Sequence, residues 1–111
     1  MNPKYGLSER TAETIRKVFL QHPEIDRAIL FGSRAKGTFK PGSDIDLALL
    51  GRNLTQKTVN RLYEELDDLP IPYGFSLVLS DKITDRDVAA HIERVGIVFY
   101  EKENADTKIN A

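Results

Sequence analysis

The sequence predicts an α+β, two-layer domain: a small mixed sheet of about four strands with helices packed on it. Three observations lead there. Four short apolar runs have strand length, the segments between them carry apolar residues at helical spacing, and Gly, Pro or Ser clusters punctuate the joins. Taken in order they read α-β-β-α-β-α-β, which is too interleaved for an all-helical or all-strand domain.

The first helix opens after Ser8, a good N-cap, and sets Ala12, Ile15, Val18 and Phe19 on one face up to "QHP". His22 beside Pro23 reads as its terminator. "DRAILF" at 26–31 is a buried strand that stops at Gly32, and Ile45 to Leu50 is a second, ended by Gly51. Thr55 caps a second helix with Val59, Leu62, Tyr63 and Leu66 at i, i+3, i+4 and i+7. Its acidic end, Glu64, Glu65, Asp67 and Asp68, reads as a solvated face. "GFSLVLS" at 74–80 is the third strand. Thr84 followed by Asp87 resembles a capping box with the shorter acid, and it opens a helix carrying Val88, Ile92 and Val95 that Gly96 closes. "IVFY" at 97–100 makes the fourth strand. One domain therefore spans 1–101, and "EKENADTKINA" is polar enough to place a frayed tail at 102–111.

Composition narrows the function. At 111 residues and 12.6 kDa there is room for a single core. A net charge of −1 and a pI near 6.1 give no field for a phosphate backbone, so direct nucleic-acid binding is not expected. The absence of cysteine excludes disulfides and thiolate metal sites and fits a reducing compartment. No apolar run approaches the roughly 20 residues that cross a bilayer, and "MNPKYGLSER" lacks the apolar segment of a signal peptide, so the expected location is the cytoplasm.

The chemistry lies in "LFGSRAKGTFKPGSDIDLAL", residues 30–49, which joins the first two strands. Residues i and i+2 of a strand share a face, so Asp44 and Asp46 project together while Ile45 and Leu47 point into the core. Two close carboxylates repel, and a hard divalent cation relieves them; oxygen-only ligands favour Mg²⁺ or Mn²⁺, usually completed by substrate phosphates. Upstream, Gly32 lets backbone approach closely, Ser33 offers a hydroxyl, and the next residues could open a short helix with free N–H groups. Arg34 and Lys36 add positive charge, and Ser43, just ahead of Asp44, joins the nucleotide-binding candidates. Against this stands a plain reading in which Gly32-Ser33 ends a strand, Pro41-Gly42-Ser43 is an ordinary loop and Asp44 a turn cap. Asp46 decides between them, because nothing structural requires an acid inside "DIDLALL".

Gly32-Ser33, ten intervening residues and Asp44-x-Asp46 resemble the G-S-x10-D-x-D signature of the minimal nucleotidyltransferases, the MNT branch of the polymerase beta-like superfamily. The likeness runs over roughly residues 8 to 101 and includes an ending similar to "ERVGIVFYEK". The resemblance implies the nucleotidyltransferase fold, a nucleoside triphosphate, commonly ATP, on Gly32 and Ser33, and Mg²⁺ on Asp44 and Asp46. It implies transfer of AMP to a hydroxyl group and, as in many small members, an antitoxin role beside an all-helical HEPN toxin that is masked or adenylylated. A chain this small cannot enclose a nucleotide, so either a partner covers the cleft or substrate contact remains open, and exposed apolar groups beside the site would be covered in a homo-oligomer.

One departure from the family pattern divides the functional reading. The family's third carboxylate sits on the next strand, in segments like "VDLVDL", and the matching place in "GFSLVLS" is Ser76. Serine brings no charge and is a poor ligand and base. Asp81 has the opposite parity, Asp85 and Asp87 belong to the start of the last helix, and Asp67 and Asp68 lie at a helix end. Two readings result: an adenylyltransferase, and an impaired nucleotide- and metal-binding module that masks its partner. His91, within the last helix, reads as a surface or groove residue rather than a ligand. Tyr63, Tyr73, Phe75, Phe99 and Tyr100 read as core or subunit-contact residues, since Lys and Arg are not interleaved with them.

Overall fold

The computed structural model describes residues 4–103. After a short 3₁₀ turn at Lys4–Gly6, the elements are α1 (Glu9–Leu20), β1 (Arg27–Phe31), α2 (Gly32–Lys36), β2 (Ile45–Leu50), α3 (Gln56–Asp67), β3 (Phe75–Leu79), α4 (Arg86–Val95) and β4 (Ile97–Glu101). A second 3₁₀ turn, Ser80–Lys82, links β3 to α4. The α2 turn is the short helix expected after Gly32.

The four strands form one mixed sheet in the order β3-β2-β1-β4. β1 runs antiparallel to both β2 and β4, while β2 and β3 are parallel. A parallel pair needs a crossover, and α3 supplies it. β4 crosses to the opposite edge, where its register against β1 shifts between Ala28 and Ile29.

Alternation along the strands sorts the two faces. Ile45, Leu47 and Leu49 of β2 and Ala28 and Leu30 of β1 are sealed from solvent, and they pack with Ala12, Ile15 and Phe19 of α1 and Val59, Leu62 and Leu66 of α3. Burying such aliphatic side chains is worth about 1.5–3 kcal/mol each, so this layer holds the fold together. The opposite face carries Ile29, Phe31, Asp46 and Ser76, all half-buried, beneath α2 and α4. None of α4's residues is buried, and Val88 is exposed.

The caps account for the helix starts. Ser8 and Thr55 accept the amides of Thr11 and Thr58, as expected from their positions. α4 corrects the sequence reading: its N-cap is Asp85, which accepts the amides of Asp87 and Val88, and Thr84 lies one residue outside. A carboxylate one position closer to the helix takes both free donors, leaving Thr84 none.

His22 also differs from expectation. It is buried rather than a bare terminator, and its Nε2 lies 2.8 Å from Glu65 Oε2, tying the end of α1 to α3. Glu65 is therefore not simply a solvated charge. Phe75, Phe99 and Tyr100 are core residues, whereas Tyr63 is 43% exposed. The Lys102 amide donates to the Asp26 carbonyl and its Nζ to that of Pro23; the remainder of the expected tail, 104–111, lies outside the described residues. Among the described residues no helix is long and apolar enough to cross a membrane.

Candidate active site

β1 and β2 deliver the two halves of the site to the same end of the sheet. β1 ends at Phe31, whose register partner is Asp46, and the chain turns at once into Gly32 and Ser33. Gly32 has φ +71°, and a Cβ placed there would collide with Asp46 Oδ2. Both facts require glycine: the left-handed backbone disfavours any side chain, and the carboxylate occupies the space one would need. Gly32 and the second aspartate thus stand in contact.

Asp44 is exposed at the rim, just ahead of β2, and Asp46 is half-buried within it. A Cβ on Gly74 would come within 2.8 Å of Asp44 Oδ1, and the Gly74 carbonyl accepts the Ile45 amide at 2.9 Å. The segment before β3 therefore closes against the first aspartate as Gly32 does against the second.

Electrostatics single out Asp46. Burial pushes its pKa above the ordinary carboxyl value, and the neighbouring Asp44 charge pushes it the same way; His91 and Arg34 pull in the opposite direction. Desolvation is the larger cause, and like-charge repulsion adds to it.

Ser76 is the direct partner of Asp46 in the β2–β3 ladder. Paired residues in a sheet share a face, so its hydroxyl side chain lies beside Asp46 on the half-buried side, and Phe31 flanks Asp46 on the other. Among the described residues no group of three or more His, Cys, Asp or Glu side chains gathers to hold a metal. Asp67, Asp68, Asp81, Asp85 and Asp87 do not complete the pair.

The basic and hydroxyl candidates divide. Ser33 is half-exposed at the start of α2, and Lys36 is exposed near its end. Arg34 turns inward instead, with only 2% exposure. Its Nη2 and Nε donate to the Ser43 carbonyl, its Nη1 donates to the Tyr5 carbonyl at 2.8 Å, and the guanidinium lies over the rings of Phe39 and Tyr73. Arg34 clamps the loop and reaches Asp46 only through its field. Ser43 closes the turn at 40–43, its Oγ accepting the Lys40 amide.

His91, read from the sequence as a surface or groove residue, makes a contact with Gly32 that the sequence did not announce. It sits in the groove under α4, where its Nε2 accepts the Gly32 amide at 3.1 Å and its ring meets Phe31 edge-on at 6.2 Å. By contrast, a surface cavity of about 370 Å³ bordered by Leu77, Leu79, Ile83 and Val88 contains none of the expected site residues.

Residues 13–105 match the protein-family model described as Polymerase beta, Nucleotidyltransferase. The chain belongs to this family. Among solved structures, it resembles a chain of a toxin–antitoxin complex with AMP-PNP, at 22% identity and TM-score 0.67, over 87% of this chain and 78% of the other. A complex of tri-AMPylated HEPN toxin with MNT antitoxin from Shewanella oneidensis gives 19% identity and TM-score 0.60, over 87% and 75%. The toxin–antitoxin pair MntA-HepT gives 19% and 0.60, over 82% and 70%. At these identities the likeness shows a shared fold. Comparison with curated proteins returned no match.

Proposed function

We propose that this member of the nucleotidyltransferase family is an MNT-type antitoxin subunit. On this reading it binds ATP with Mg²⁺ at Gly32, Ser33, Asp44 and Asp46 and transfers AMP to a hydroxyl of a helical, HEPN-type partner in the cytoplasm. The observation that carries the reading is the contact of Gly32 with Asp46, which puts the signature's two halves, 14 positions apart in the chain, into one place. The donor set also fits the ion: burial and, after it, the charge of nearby Asp44 push the pKa of Asp46 up, and a hard cation would offset both. Mn²⁺ would satisfy the same ligands.

Each group has a task in the transfer. Gly32 and Ser33 hold the triphosphate, Lys36 offers charge from the exposed side of α2, and Arg34 and Ser43 keep the intervening loop in shape. The partner's hydroxyl oxygen bonds to the α-phosphorus, the bond from that phosphorus to the β-phosphate bridging oxygen breaks, pyrophosphate leaves, and the hydroxyl proton passes to solvent or a nearby base. Bound at Asp44 and Asp46, the ion would supply charge neutralisation at the α-phosphate and a lowered pKa for the attacking hydroxyl.

A second reading has its own observation. With Ser76 beside Asp46, the described residues place no third carboxylate with the pair to ligate an ion or receive the proton. The protein then binds nucleotide and silences its partner by covering it. Mass spectrometry of the co-purified helical partner separates the two. Transfer predicts that MgATP makes the partner heavier by one or more AMP groups and that Asp44→Ala abolishes the gain. An intact complex whose partner stays unmodified rejects transfer and leaves the masking reading, under which Asp44→Ala still binds and neutralises the partner.

A further inference from the structure

His91 lies on the side of Asp46 opposite to Ser76. β1 and Gly32 flank Asp46 on one side and β3 on the other, and His91 contacts the Gly32 side. It therefore cannot stand in for the missing acid on β3. Its geometry suits a different task.

Gly32 stands where β1 turns into α2, with Asp46 in the space a side chain would need. Glycine at φ +71° has no side chain to hold it and samples a wide range of backbone conformations when nothing restrains it. Whatever angle it adopts sets the direction of the Ser33 amide and hydroxyl. Its N–H is held from another element: the Gly32 N–H donates to His91 Nε2 on α4. In this contact Nε2 is the acceptor and the backbone N–H the donor. The ring is itself fixed by its edge-on contact with Phe31, the last residue of β1, and by α4, which packs on both α2 and β1. A restraint built on two regular elements is stiffer than one built on a loop.

We propose that His91 is a positioning residue of the nucleotide site: its Nε2 holds the Gly32 amide, and so keeps the Gly32–Ser33 turn in the conformation that receives the triphosphate. Taking up the Gly32 donor also leaves the Ser33 amide and hydroxyl as the groups presented to phosphate. The inference rests on the nucleotide-binding reading given above, and the experiment separates them.

Nucleotide affinity is measured with MgATP on the full chain for the wild type, His91→Phe and His91→Gln, together with melting temperature and the Gly32 amide resonance. Phenylalanine keeps a ring against Phe31 but has no acceptor; glutamine places a carbonyl oxygen near the Nε2 position. The expected result is an affinity about 10-fold weaker for His91→Phe, the scale of one lost hydrogen bond. The Gly32 amide resonance should shift upfield and the melting temperature stay within a few degrees. His91→Gln should restore affinity to within about threefold. Equal MgATP affinity in wild type and His91→Phe overturns the inference and leaves the nucleotide reading standing. So does an affinity that follows melting temperature rather than the acceptor. If the wild type does not bind MgATP at all, the nucleotide reading falls and the inference falls with it.

Discussion

The two faces of the sheet are made from the same strands and spend them differently. Along β2, Ile45, Leu47 and Leu49 face α1 and α3 with no solvent exposure, while Asp46 on the other face is half-buried beside Gly32 and Ser76. One side buries aliphatic surface and gains stability. The other holds a carboxylate whose raised pKa records a cost of folding. The candidate site lies where stability is given up, and the alternation of a single strand keeps it separate from the core.

The largest expected effect breaks the core face alone. Leu47 is completely buried among α1, α3 and the strands, so Leu47→Ala should lose about 3 kcal/mol by denaturant unfolding, the transfer and cavity cost of such a site. MgATP affinity, measured where the variant remains folded, should stay within about twofold. An affinity that falls together with stability would show that the two faces are not independent.

The fold was legible because it is written in local patterns. Strand-length runs, helical spacing and the Ser8 and Thr55 caps each depend on a few neighbouring residues, and all of them formed as expected. Thr84 failed as a cap because two acids and a threonine compete within four positions, and a difference of one residue decides which reaches the free amides. Of the candidate site, the signature gave the Gly32–Asp46 pairing. The contacts of Arg34, His22 and His91 were hidden, since each is made with a residue outside its local sequence. His91 and Gly32 are 59 positions apart, and nothing in the local context of "AAHIER" announces the contact. Burial of Arg34 was equally invisible, because a guanidinium in a Gly-rich loop has the same composition whether it faces phosphate or two carbonyl oxygens.

A smaller effect, of the opposite sign, belongs to the site face. A carboxyl whose folded pKa lies above its unfolded one holds its proton more tightly in the native state. The native state is then penalised at pH above the folded pKa, and the penalty disappears as pH falls below the ordinary value of 3.8. Asp46→Asn removes the ionisation and the repulsion from Asp44. Without metal at pH 7 it should raise the melting temperature by about 2–4 °C, equivalent to at most about 1 kcal/mol once solvent screening of a half-exposed group is allowed for. At pH 3 the gain should vanish. Mg²⁺ should raise the melting temperature of the wild type at pH 7 and leave that of the variant unchanged, as seen by scanning with and without the ion. A variant less stable than the wild type at neutral pH would mean that the ionised carboxylate is stabilised where it sits.

The finest test changes the number of charges on the site face and leaves its shape nearly intact. Ser76 and Asp46 are ladder partners on one face, so Ser76→Asp places a third carboxylate beside the second with no change of register. Without metal the added repulsion should lower stability by a few tenths of a kcal/mol to about 1 kcal/mol, the size of like charges directly opposed across a sheet. With Mg²⁺ the sign should reverse. Three oxygen ligands hold the ion more tightly than two, so calorimetry should show Mg²⁺ binding strengthened several-fold and the lost stability recovered on titration. On the transfer reading, AMP transfer to the partner should rise in the same variant, because a carboxylate beside Asp46 could accept the departing proton. No change in either binding or transfer would place Ser76 outside the metal site and would return the chemistry to Asp44 and Asp46 alone.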